Sequence, residues 1–140
     1  IEQISEIIKA GIPVMGHIGL RPQSVHTMGG YKVQRDEERL LSDARAVQQA
    51  GAFSVVLECV PADLADKITR ALDIPTIGIG AGNQCDGQVL VLPDMLGLIP
   101  EPPRFVKKYA DLHQTIADAA TRYREEVQSG EFPNSEHSYQ

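Results

Sequence analysis

The hydrophobic and polar positions of this chain switch repeatedly between two periods. Residues 1–10 place Ile4, Ile7 and Ile8 on one helical face and stop at Gly11. The apolar run over 12–18 then predicts a short buried strand, and the Gly, Pro, Ser and Thr of 19–34 predict a long loop. Helical spacing returns over 36–50, with Leu40, Leu41, Ala44 and Val47 apolar and Gly51 as the stop. Residues 53–60 form a continuous apolar run broken by one carboxylate, Glu58. Pro61 opens a helix through residue 72, since a first-turn proline gives up no needed donor. Residues 76–79 and 89–92 predict two more strands. After the prolines at 100, 102 and 103, one long helix is predicted from about 104 to 129, with Phe105, Tyr109, Leu112, Ile116, Ala119, Tyr123 and Val127 at steps of three and four. Gly130 and Pro133 end it, and 134–140 reads as a loose polar tail.

Four strands that are apolar on both faces and separated by helices or loops predict an α/β fold with a parallel sheet covered by helices. The phrases Lys9-Ala-Gly-Ile-Pro13 and Gln49-Ala-Gly-Ala-Phe53 both join helix to strand, a weak internal repeat that suits stacked βα units. A doubly wound sheet and part of a (β/α)8 barrel both fit this pattern. A complete barrel needs roughly 250 residues, so the 140 here would make about half of one. Ile1 falls inside a helical pattern and is not Met, so the numbering is expected to begin partway through a longer protein.

Composition narrows the function. Hydrophobic residues at 42% and charged residues at 23% are ordinary for a globular chain, which sets aside disorder. The formal net charge of −6 disfavours a nucleic-acid partner, because phosphate binding needs clustered Lys and Arg, and Lys107-Lys108 is the only basic pair with both positions Lys. Cys59 and Cys85 are too few for a disulfide framework and form no CxxC pair, so a reduced, cytoplasmic setting is expected. No apolar stretch has membrane-span length, and no membrane partner is expected.

In parallel α/β proteins reactive groups sit at the carboxyl ends of strands. Glu58 stands near such an end, where Ile or Val would be the structural choice. A carboxylate among Val56, Leu57, Cys59 and Val60 is expected to have a raised pKa, which suits a general base or acid. Its bland alternative is a buried Glu that satisfies a backbone group or an Arg; the catalytic reading is preferred. His17 occupies the matching place on the first strand. It could orient a substrate carbonyl, shuttle a proton, or be a hydrogen-bonded core residue. His26, His113 and His137 read as loop or surface residues.

The stretch Gly78-Ile-Gly-Ala-Gly82 fails both nucleotide-loop tests. Asn83 stands where a dinucleotide fingerprint needs Gly, and Gln88 where a P-loop needs Lys. What remains is a close-approach loop in which Gly80 and Gly82 let a ligand near the backbone, with Asp86 and Asp94 in turn or cap roles. The segment Gly29-Gly-Tyr-Lys-Val-Gln34 suits a lid carrying Tyr31 and Lys32, or an ordinary surface loop.

Five ordered motifs resemble the ketopantoate hydroxymethyltransferase family: Gly16-His-Ile-Gly-Leu-Arg-Pro-Gln-Ser-Val25, Gly29-Gly-Tyr-Lys-Val-Gln34, Leu57-Glu-Cys-Val-Pro61, Ile77-Gly-Ile-Gly-Ala-Gly82 and Asp86-Gly-Gln-Val-Leu-Val91. Ser129-Gly-Glu-Phe-Pro133 and His137 are similar to that family's tail. The resemblance implies a (β/α)8 TIM barrel of the phosphoenolpyruvate mutase/isocitrate lyase type, of which this chain holds about the last four βα units. Residues 1–140 would then be the C-terminal half of a single domain. It implies transfer of a hydroxymethyl group from 5,10-methylenetetrahydrofolate to 3-methyl-2-oxobutanoate, giving 2-dehydropantoate for pantothenate and coenzyme A. Glu58 would be the proton acceptor and His17 would lie beside the 2-oxoacid. Mg2+ would hold that substrate through ligands in the N-terminal half, together with a substrate-binding Lys there, so no metal ligand is expected in residues 1–140. The missing half of the barrel and further copies, in a homo-oligomer, would be the protein partners. The sequence departs from the family after Gln34, where Arg35-Asp36 replaces the usual Gly and shortens the lid. Other readings are a Mg2+-dependent 2-oxoacid C–C lyase of the same superfamily, or an inert half-barrel assembly module.

Overall fold

A computed structural model describes residues 1–21 and 33–139. They divide into two compact units, Ile1–Val89 and Leu90–Gln140. Among the described residues no helix is long and apolar enough to cross a membrane.

The first unit alternates helix and strand. Helix α1 (Glu2–Lys9) carries an exposed Lys9–Glu6 pair at 2.7 Å. Strand β1 (Met15–Gly19) follows, and then helix α2 (Glu37–Gln49). The Asp36 side chain accepts from the Arg39 amide at 3.1 Å, so it caps a helix end whose first turn already holds Glu37 and Glu38 against the positive pole. Leu40, Ala44 and Val47 bury the opposite stripe of α2. Strand β2 (Ser54–Glu58), helix α3 (Ala62–Ala71) and strand β3 (Thr76–Ile79) complete the regular part. Pro61 is the cap residue of α3 and not its first helical residue. Both Ala-Gly phrases end their helices in the same way, with Gly11 and Gly51 at φ 83° and 94°, where a side chain would be strained.

Strand β4 is a departure. A strand was expected over 89–92, but the ladder consists of Gly87–Gln88, and Val89 adds a last bond to the Gly78 carbonyl at 3.0 Å. Pro93 explains the early stop: it has no N–H for a ladder, and its fixed φ suits the first turn of a helix.

The sheet runs in chain order, β1-β2-β3-β4, with every neighbouring pair parallel. Chain-order parallel pairing is the arrangement of consecutive βα units. Gly16 and Ile18 of β1, Val55 and Leu57 of β2, and Thr76 and Gly78 of β3 are buried on one face. Ile18, Val55 and Leu57 share one apolar cluster with Leu40, Ala44 and Val47 of α2 and Leu64, Ala65 and Ile68 of α3. Burial of each Val, Leu or Ile side chain among them stabilises by roughly 1.5–3 kcal/mol. A side chain at Gly16 would strike Val47, so that glycine sets how closely α2 lies on β1. Strand alternation turns Met15, His17, Val56, Glu58, Ile77 and Ile79 to the other face. None of these six belongs to the buried cluster.

The second unit holds the short helix α4 (Leu92–Met95), helix α5 (Leu112–Ser129) and a 3-10 turn over Ser135–His137. The long helix expected from about 104 thus begins at Leu112. Backbone donors before it are engaged elsewhere: Tyr109 N–H reaches the Met95 carbonyl at 2.8 Å, and Leu112 and His113 reach those of Leu96 and Gly97, each at 3.0 Å. Asp111 then caps α5 by accepting from Gln114 N–H at 3.3 Å. At the other end Gly130, at φ 80°, closes the helix, as its position in the sequence suggested.

Candidate active site

The open face of the first unit collects the polar side chains singled out in the sequence. In the β1–β2 register Gly19 lies opposite Glu58, and His17 opposite Val56. His17 and Glu58 therefore project from the same face, two ladder positions apart, toward the carboxyl ends of their strands. His17 Nε2 stands 3.1 Å from Glu58 Oε2, with the carboxyl side chain 15% exposed and the imidazole 33%. His17 is thus not a core histidine, and Glu58 is not the isolated carboxylate that its apolar neighbours suggested.

The backbone around Glu58 is held from both sides. Leu20 N–H donates to the Glu58 carbonyl at 2.8 Å, and any side chain at Gly19 would strike that carbonyl and Val60. Gly19, at φ 89°, is what allows β1 to leave the sheet beside the carboxylate. On the other side Cys59 N–H donates to Ile79 carbonyl at 3.0 Å, while Cys59 carbonyl accepts from Gln34 N–H at 2.9 Å. Cys59 sits at φ 52°, the one non-glycine in left-handed backbone among the described residues. Such a conformation persists only where surrounding contacts impose it, and here it lies immediately after the candidate base. Burial, and then the Glu58 carboxylate beside it, push the Cys59 thiol pKa up, so this cysteine is poorly suited to act as a thiolate nucleophile.

Strand β3 brings Ile79 opposite Glu58, and Gly80 follows directly at φ 63°. Residues 80–86 return the chain to β4 without a helix. Cys85 and Gln88 side chains occupy the space over Gly78, where a Cβ would lie 3.0 Å from each. Gly82 is fixed by packing, since a Cβ there would come within 2.5 Å of the Ala62 Cβ. The Gln88 side-chain amide holds the Gly82 carbonyl at 2.9 Å. Asp86 completes the loop: its carboxylate accepts from Thr76 N–H at 2.8 Å and from Thr76 Oγ1 at 3.0 Å. These bonds hold the Asp86 carboxyl below the usual carboxylate range, the backbone N–H contributing most. Asp86 is therefore a structural clamp, in keeping with the turn role read from the sequence. Its partner Thr76, ten residues earlier, gave no signal there.

Tyr31 and Lys32 lie outside the described residues. Arg21 and Gln34, which sequence reading did not single out, line with His17 and Gly19 a cleft of about 280 Å3 whose other walls are α1 and α2 side chains such as Ile4, Leu40 and Val47, and Glu58 is not part of its lining. Arg21 stands just past a strand end, a position that could have marked it. Among the described residues no three His, Cys, Asp or Glu side chains converge as metal ligands.

A parallel sheet with a carboxylate and an imidazole at the carboxyl ends of its strands is an arrangement that α/β enzymes use. The sequence model of the ketopantoate hydroxymethyltransferase family matches residues 1–135. Proteins named 3-methyl-2-oxobutanoate hydroxymethyltransferase are 63% identical over 137 residues in Desulforapulum autotrophicum and 61% over 140 in Trichlorobacter lovleyi, covering 97% of this chain in both cases. In Thermobifida fusca the identity is 58% over 143 residues, covering 99% of this chain. The chain belongs to the ketopantoate hydroxymethyltransferase family, a family of transferases. It spans about half the length of the curated relatives it matches, from 51% to 53% in these three.

Proposed function

We propose that this chain supplies the proton-abstracting half of a (β/α)8-barrel enzyme that moves a hydroxymethyl group from 5,10-methylenetetrahydrofolate to 3-methyl-2-oxobutanoate, forming 2-dehydropantoate. The observation that carries the reading is Glu58, 15% exposed at the end of β2 on the face opposite the α2 and α3 cluster, with His17 Nε2 at 3.1 Å. In this reading residues 1–140 belong to one barrel domain, whose preceding half carries the Mg2+ ligands and a substrate-binding lysine. The whole enzyme works in the cytoplasm as a homo-oligomer. Gly80 and Gly82 border the ligand, and Tyr31 and Lys32 belong to the lid.

The chemistry assigned to this chain is a single proton transfer. The C3–H bond of the 2-oxoacid lies next to a carbonyl, so its bonding pair can pass into an enolate while the proton goes to a Glu58 carboxylate oxygen. The enolate carbon then forms the new C–C bond to the one-carbon unit of the folate; both C–N bonds of that methylene bridge break, water supplies the hydroxyl oxygen, and the C3 proton and the remaining water proton end on the two nitrogens of the tetrahydrofolate that leaves. Glu58 suits the first step because it places a carboxylate at the carboxyl end of β2, where substrates of parallel α/β enzymes bind.

The test is C3–H exchange of 3-methyl-2-oxobutanoate in D2O, followed by NMR on the enzyme at the length of its relatives. Glu58→Gln keeps the shape and removes the base, so exchange is expected to fall by about 10²–10⁴-fold. Exchange that survives this substitution undiminished would overturn the assignment. Hydroxymethyl transfer that continues without the folate would overturn the donor.

A further inference from the structure

The contact between His17 and Glu58 assigns His17 a task different from holding substrate. We infer that His17 is a positioning residue: its Nε2–H donates to Glu58 Oε2, fixes the orientation of the carboxylate, and leaves Oε1 as the oxygen that meets the substrate proton. This rests on the reading of Glu58 as proton acceptor.

Three observations support it. Nε2 and Oε2 stand 3.1 Å apart, a distance at which an N–H can donate to a carboxylate. The two side chains come from adjacent parallel strands whose register is fixed through Gly19 and Glu58, so the ring and the carboxyl group meet without a loop between them. Among the described residues no Lys or Arg stands within ion-pair distance of Glu58, whereas His17 does. A carboxylate that can rotate freely presents its basic oxygen in many directions; one held by a strand-borne donor presents it in one.

The experiment separates this role from substrate binding by using two isosteres. A glutamine side chain reaches the place of Nε2 with its amide N–H, whereas asparagine ends near Nδ1 and falls short. In the enzyme at the length of its relatives, His17→Gln is expected to retain kcat for C3–H exchange within about threefold. His17→Asn is expected to lose at least about tenfold in kcat with KM nearly unchanged, the signature of an interaction made in the transition state. Equal behaviour of the two variants, or a raised KM with kcat intact, would overturn the inference. If His17→Asn does not fold, as thermal melting would reveal, the ring of the unsubstituted enzyme decides. 15N NMR should show hydrogen on Nε2 with a shift that moves in Glu58→Gln; an Nδ1–H ring indifferent to that change overturns it. Failure of the underlying reading looks different, because Glu58→Gln would then leave exchange intact whatever happens at His17.

Discussion

Thr76 is completely buried; its N–H donates to the exposed Asp86 carboxylate, and its hydroxyl joins that carboxylate and the Thr69 hydroxyl. Removing that carboxylate leaves a buried backbone donor unpaired, so Asp86→Ala is expected to destabilise by about 1–3 kcal/mol. The sign of its pH dependence follows from the lowered pKa. The folded state binds the Asp86 proton less readily than the unfolded state does. Its stabilisation is therefore fully present above the unfolded carboxylate pKa, about 3.9, and fades as pH falls through that value to the lower folded one. Urea unfolding of the parent and Asp86→Ala should differ most near neutrality and converge in strong acid; a constant gap down to the lowest pH would contradict the clamp. At this scale Glu58 was legible because a carboxylate within an apolar strand is conspicuous. The Asp86 partner and the left-handed turn at Cys59 were not, because each depends on backbone that the fold brings together.

Gly82 and Gly130 separate two reasons for glycine within the elements and their connections. Both have positive φ, 79° and 80°, but an added Cβ meets Ala62 at 2.5 Å in one case and nothing within 4 Å in the other. Gly130→Ala is expected to lose about 1–2 kcal/mol from left-handed backbone alone. Gly82→Ala is expected to lose a further 1–3 kcal/mol or so from overpacking against α3. Equal melting-temperature losses would show that the Ala62 contact is slack. Elements were legible where one period ran between clear stops, as for α2, α3 and β3. They were misjudged where apolar spacing outran the hydrogen bonding. Phe105 and Tyr109 continue the α5 stripe in sequence, but Tyr109 N–H is engaged by Met95 and Asp111 provides the cap. Val89-Leu-Val-Leu92 looks like a strand, yet Pro93 draws its last residue into α4.

At the scale of the whole molecule, the parallel sheet was legible from its doubly apolar strands, and its chain-order pairing required the structure. β1 lies at one edge of the sheet and β4 at the other, while the face bearing His17 and Glu58 has no helix packed on it in the buried cluster. Open edges with unpaired backbone groups favour association. The 140-residue chain by itself is therefore expected to self-associate in sedimentation velocity and to show no hydroxymethyl transfer. A monomer at all concentrations, or full turnover with no other polypeptide present, would contradict this.

The separation of the two sheet faces also bears on how such a protein can change. Gly16, Ile18, Val55 and Leu57 answer to the helices, whereas Val56, Ile77 and Ile79 lie outside that cluster. Because the backbone stands between the two sets, mutations in one have few packing neighbours in the other, and their effects on stability should combine additively. The lining of the reactive face is thus free to drift, or to be redesigned for a bulkier oxoacid, while the scaffold beneath it keeps its own sequence rules.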